Sequence, residues 1–181
     1  MISRLHQLYR DQVRPTLLKS GSYGNLWAVP TMKKIVVNVG YGRMVKEPAR
    51  VATAIKTLER ITGQKPLVTK AKKSVSAFKI RQGLEVGAKV TLRGERMWEF
   101  LDKLINVTLP RVRDFHGLDP KIIDRQGTLT VGMAEHIAFP EIRSDEVEHL
   151  HGLEISIQTT AQTAAASRQL LTALGFPFTT G

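Results

Sequence analysis

The chain is 181 residues long, with 42% hydrophobic, 24% charged and 6% aromatic residues and a formal net charge of +11, a balance that excludes wholesale disorder and argues against nucleic-acid binding chiefly by base stacking. It has no cysteine, which excludes disulfides and thiolate-held zinc, and no run of ~20 apolar residues that would make a membrane helix. Its charge is concentrated: residues 33–96 hold sixteen Lys or Arg against four Glu, a net of +12, while 1–32 carry +3 and 97–181 carry −4. A directed positive field has a polyanion as its natural counterpart, and the mildly acidic remainder offers a second surface to another partner.

Residues 3–19 predict a polar, basic helix with Leu5, Leu8 and Val13 as a modest apolar stripe. Arg4, Arg10, Asp11, Arg14 and Lys19 interrupt it too often for a signal peptide, so a soluble, intracellular protein is expected. Residues 20–25 are loop by composition. Lys33 to Gly40 is the clearest strand, with Ile35, Val37 and Val39 on one face and Lys34, Val36 and Asn38 on the other. A helix is expected from Pro48 through Val51, Ile55, Leu58 and Ile61 to a stop at Gly63, followed by a short strand over 66–71. Residues 72–86 are basic and lack apolar period, which predicts a long loop or mobile ribbon. Ala88, Val90 and Leu92 alternate with Lys89, Thr91 and Arg93 in another strand. A helix from about Glu95 to Val107 buries Met97, Leu101, Leu104 and Ile105, and Pro110 closes it. Residues 111–127 look irregular, 128–131 and 153–158 alternate as strands, and a last helix covers about 163–174.

About five strands and four helices mixed along one chain predict an α+β domain spanning 1–181. It has a largely antiparallel sheet, helices on one face and the basic loop 72–86 projecting. The open face gathers Lys34, Lys89 and Arg93, suited to phosphates, while Asn38, Gln64 and Thr91 suit sugars and base edges. From the pattern alone, a merely solvated sheet face is an equal alternative. His149-x-His151 with Glu148 and His136 makes at most an incomplete metal site, so no metal or cofactor is expected. No P-loop or dinucleotide fingerprint follows a strand, and no nucleophile has a catalytic context, so an enzyme is not expected. An RNA-modifying enzyme using Asp114, His116 or Glu141 is the alternative from another class. A membrane-surface protein is a third, disfavoured because the bases do not lie along an amphipathic helix.

The segment Leu58-x-x-Ile61-Thr62-Gly63-Gln64-x-x-Leu67-x-Thr69-x-Ala71-Lys72-x-Ser74 resembles the signature of bacterial-type large-subunit ribosomal protein five. Similar family segments follow in order: KVTLRGERMWEF (89–100), PRVRDFHGL (110–118), IAFPEI (137–142) and FPF (176–178). The resemblance implies a non-enzymatic scaffold of the bacterial cytosol that binds 5S ribosomal RNA and attaches it to the large subunit's central protuberance. Its partners would be that RNA, large-subunit ribosomal RNA and other protuberance proteins. It also implies that Lys72, Lys73, Ser74, Phe78, Lys79 and Arg81 reach the peptidyl-site transfer RNA. An intersubunit bridge to small-subunit protein thirteen would draw on Arg111, Arg113, Asp114, His116, Glu141, Arg143, Asp145 and Glu146.

Overall fold

The computed structural model describes residues 2–20, 23–44, 47–142 and 150–179, with only the backbone of Arg43. Five strands form one antiparallel sheet in the order β2-β3-β1-β5-β4: β1 Met32–Gly40, β2 Leu67–Lys70, β3 Glu85–Leu92, β4 Thr128–Met133 and β5 Leu153–Thr159. The alternation in the sequence becomes burial. Ile35, Val37 and Val39 of β1, Ala88, Val90 and Leu92 of β3, and Leu153, Ile155 and Ile157 of β5 are all buried. Their strand neighbours Lys34, Val36, Asn38, Lys89, Thr91, Ser156 and Gln158 are half-buried or exposed. One face of the sheet is therefore core and the other is open, as an antiparallel sheet allows. The contacts cluster into two units, 1–35 with 92–131 and 156–181, and 36–91 with 132–155.

In the first unit the N-terminal helix runs as α1 Arg4–Leu8, a π segment Tyr9–Val13 and α2 Arg14–Lys19. Its buried residues are Leu5, Tyr9, Val13 and Leu17, spaced by four, with Leu8 half-buried. In a regular α-helix each four-residue step overshoots one turn by about 40°, so such a stripe would wind off its face. The wider π turn takes up the excess. It also precedes Pro15, whose ring would otherwise press on the carbonyl four residues back.

The same device recurs in α4 Gly94–Lys103, continued by a π segment Leu104–Thr108 and the short α5 Leu109–Arg111. Met97, Leu101, Ile105 and Leu109 are buried at spacing four, as are Phe100, Leu104 and Thr108. Pro110 therefore does not close this helix as its sequence suggests. It sits in the first turn after the π segment, where a missing N–H costs nothing, and the chain stays helical to Arg111. Ser3 and Arg4 tie α1 to α4: the Ser3 amide donates to Glu95 Oε2 at 3.0 Å and Arg4 pairs with Asp102 at 2.7 Å. The His6 ring stacks on Trp98, 5.0 Å between centroids and 2° from parallel, and its Nδ1 lies 2.6 Å from Glu95 Oε1. The Ser3 amide, followed by His6, holds the Glu95 carboxyl below its ordinary range.

The helix α6 Ala164–Ala173 is capped by the Thr163 hydroxyl and buries Ser167, Leu170 and Leu171. Ser167 and Thr159 both donate to the Gly127 carbonyl, at 2.8 and 3.2 Å, which satisfies these buried hydroxyls. Residues 111–127 are largely irregular, as expected. Their end is pinned where the Leu118 amide donates to the Pro177 carbonyl at 2.8 Å and the Thr179 amide to the Leu118 carbonyl at 3.0 Å. Two segments that resemble one family thus meet in space.

In the second unit α3 Pro48–Thr62 starts at a proline and stops at Gly63, which is left-handed at φ 63°. Its buried stripe is Ala54, Thr57, Leu58 and Ile61; Val51 and Ile55 sit half-buried beside it. Arg60 donates to the Glu141 carbonyl at 2.9 Å, next to the buried Phe139 and Ile142.

Candidate nucleic-acid interface

The second unit carries Asn38, Gln64, Lys89 and Thr91. Lys89 is exposed and the others are half-buried, so none of the four is sunk in the core. Registry decides which of them are neighbours. The Tyr41 amide donates to the Val86 carbonyl at 3.0 Å, and counting along the antiparallel pair sets Asn38 opposite Lys89. β2 pairs antiparallel with β3, Leu67 against Lys89 and Thr69 against Gly87, with a bulge between Thr69 and Lys70. Leu67, 64% exposed, therefore shares the open face with Lys89 and gives it an apolar element.

Gln64 follows α3 and is not itself on a strand. Its Nε2 donates to the Thr91 carbonyl at 3.4 Å, so part of its polar capacity holds the strand in place. Thr91 alternates with the buried Val90 and Leu92, so its half-buried hydroxyl offers a donor and an acceptor on the open surface. Lys34 and Arg93 belong to the other unit, on β1 and directly after β3, and point away from its core; Arg93 is exposed and Lys34 half-buried. A cation, an amide, a hydroxyl and a small apolar side chain are the chemistry of contact with phosphate, 2′-hydroxyl and ribose.

The basic segment after β2 is more regular than its sequence suggests. The Ala71 amide donates to the Leu84 carbonyl at 2.8 Å and the Gly83 amide to the Ala71 carbonyl at 2.9 Å. Val75 and Ile80 form an antiparallel bridge, closed by a 3-10 turn Ser76–Phe78 and by Lys79 at φ 53°. Strands β2 and β3 thus extend into a hairpin. Alternation fails there because both faces are wet, so no residue needs an apolar side chain. Lys72, Lys73, Ser74, Phe78, Lys79 and Arg81 are all exposed, and Phe78 keeps 75% of its surface at the tip. Ser74 has an internal task, because its Oγ accepts from the Gln82 amide at 2.9 Å.

The residues expected at a subunit bridge divide. Arg111, Arg113, Asp114 and His116 are exposed in the first unit, with Asp114 at φ 53°; Glu141 is half-buried in the second. Arg143, Asp145 and Glu146 lie outside the described residues, as do Glu148 and His149. Among the described residues, His136 packs against His151. The two rings stack at 4.0 Å, with His136 Nδ1 3.1 Å from the His151 carbonyl and 3.3 Å from its amide. Among the described residues no three His, Asp or Glu side chains converge on a point where a metal ion would sit. No helix among them is long and apolar enough to cross a membrane.

Sequence reasoning missed one exposed aromatic, Trp27. Its signal was available: a tryptophan in a loop of Gly, Asn and Ser, a few residues before an apolar strand.

Two family models match, "Ribosomal protein L5" over residues 25–81 and "ribosomal L5P family C-terminus" over 85–178. The chain is 49% identical over 177 residues to large ribosomal subunit protein uL5 of Halothermothrix orenii, and 50% over 177 to that of Natranaerobius thermophilus. It is 51% identical over 178 residues to that of Lactococcus lactis subsp. cremoris. Each alignment covers 98% of this chain and 99% of the relative.

Proposed function

The chain belongs to the ribosomal protein L5 family, structural and non-enzymatic proteins of the large subunit, and from that premise we propose that it attaches 5S ribosomal RNA to the central protuberance. The whole of residues 1–181 serves this one role in the bacterial cytosol. The open sheet face grips the RNA: Lys34, Lys89 and Arg93 neutralise phosphates, and Asn38, Thr91 and Gln64 bond sugars or base edges. Large-subunit ribosomal RNA and protuberance proteins border this assembly. The hairpin of residues 71–84 carries Lys72, Lys73, Phe78, Lys79 and Arg81 to the peptidyl-site transfer RNA, holding its backbone without reading sequence. The exposed side chains of Arg111, Arg113, Asp114 and His116 meet small-subunit protein thirteen. Individually weak ion pairs there suit a contact that must shift as subunits rotate.

The observation that carries the reading is half-buried Thr91 beside exposed Lys89 on a face the core does not use. Binding of 5S RNA to purified variants tests it. Thr91→Ala and Asn38→Ala should each weaken binding about 5-fold or more, the loss of one or two net hydrogen bonds, while Lys79→Ala at the hairpin tip spares it. Equal losses from all three would refute this division of surfaces.

A further inference from the structure

The first unit holds a second feature that this sheet-face reading does not use. Trp27 is 87% exposed, although the residues that follow it, Val29 and Pro30, are buried. It is not a loose side chain on a loose loop. The Asn25 side-chain oxygen accepts from the Ala28 amide at 2.8 Å, and the Asn25 carbonyl accepts from the same amide at 3.2 Å, which makes a tight turn with Trp27 inside it. The Tyr9 hydroxyl donates to the Pro30 carbonyl at 2.9 Å and anchors the turn's exit. Arg14 of α2 donates through Nε and Nη2 to the Leu26 carbonyl, at 3.3 and 3.0 Å. Held there, its guanidinium carbon lies over the indole, 5.2 Å from the ring centroid. One indole face is thus backed by a fixed cation, and most of the ring stays in water.

Charge selects the occupant. Residues 1–33 carry Arg4, Arg10, Arg14, Lys19 and Lys33 against Asp11 alone, and Arg10 and Lys19 are exposed. An anionic partner with a planar apolar group fits an aromatic ring on a basic helix, and that combination is an unpaired nucleotide. We propose that Trp27, backed by Arg14, is a stacking anchor for an unpaired base of ribosomal RNA, separate in sequence and in role from the sheet face. The proposal rests on the chain being an RNA-binding ribosomal protein. One aromatic anchor is compatible with the low aromatic content, because it fixes position at a single nucleotide and leaves general affinity to the cations.

The probe is a single-stranded oligoadenylate of about ten nucleotides, titrated into the full chain while tryptophan fluorescence is followed. Trp98 is buried against His6, so quenching should come from Trp27 and vanish in Trp27→Phe, which still binds. Trp27→Ala should weaken binding roughly 5- to 100-fold, the range for losing one stacked base. No quenching up to about 1 mM, weaker than ordinary non-specific binding, overturns the proposal, as does Trp27→Ala binding within about twofold of wild type. A photoreactive aromatic residue at position 27, carried into large subunits, should cross-link to RNA. A cross-link to protein, or none, overturns it. Thr91→Ala binding to 5S RNA separates the two claims: a loss there with no effect at Trp27 sinks only the anchor, and no effect at either sinks the RNA-binding reading itself.

Discussion

Substituting His151 by leucine should flatten the acid limb of this protein's stability. His151 and His136 are each less than a tenth exposed and stack 11° from parallel. Burial, reinforced by the neighbouring His136, holds His151 down at about 4. Burial lowers His136 as well, opposed by its bond to the His151 backbone and by the charge of Glu135. His151 Nε2 is buried with no hydrogen-bond partner among the described residues, so a proton placed there gains no acceptor. In the unfolded chain an imidazole titrates near 6.5. Between 6.5 and about 4 the unfolded state therefore binds more protons, and stability rises with pH through that window. The contribution is present in full above about pH 6.5 and is lost as pH falls towards 4. Counting His151 alone, the loss between about pH 7.5 and pH 5 is about 2 kcal/mol. Urea unfolding of wild type and His151→Leu at both pH values measures it, since carboxylates elsewhere titrate alike in the two proteins. Wild type should lose about 2 kcal/mol more than the variant over that interval. Equal losses, or a larger loss in the variant, would mean that burial of His151 does not set this pH dependence.

Gly117 and Gly63 both have positive φ, 97° and 63°, but their surroundings differ. A Cβ on Gly63 would meet nothing within 4 Å, so Gly63→Ala should cost only the left-handed backbone term, about 1 kcal/mol. On Gly117 it would lie 3.0 Å from Thr179 Cγ2 and 3.2 Å from the Pro177 carbonyl, in the junction that pins the C-terminal segment. Gly117→Ala should therefore cost about 3 kcal/mol or more in chemical denaturation, and a cost equal to that of Gly63→Ala would contradict the packing described there.

The strands were legible because one sheet face is core and the other is wet, so burial wrote a period of two into β1, β3 and β5. The end of α3 was legible because Gly63 adopts a conformation that other residues resist. The long helices were less so. A stripe at spacing four looks like ordinary α-helix, and neither Leu5-Tyr9-Val13-Leu17 nor Met97-Leu101-Ile105-Leu109 announces the π turn that keeps it on one face. For the same reason Pro110 looked like a terminus, when the π segment before it had already removed the conflict. The hairpin beyond β2 was hidden by its exposure: pairing there runs through backbone atoms and one serine, which leave no mark on side-chain pattern. On the sheet face the residue types were readable, but the Gln64 bond to the Thr91 carbonyl and the exposure of Leu67 depend on register. The stacking of His136 on His151 joins residues fifteen apart in sequence, a pairing no local motif encodes.

The salt dependence of 5S RNA binding separates the sheet face from the hairpin as the RNA-gripping surface. Each phosphate neutralised contributes about 0.7 to 0.9 to the slope of log affinity against log salt. Replacing Lys34, Lys89 and Arg93 together by glutamine should lower that slope by roughly 2 to 3, while replacing Lys72, Lys73, Lys79 and Arg81 together should leave it unchanged. A slope that falls with the hairpin changes and ignores the sheet changes would contradict the account.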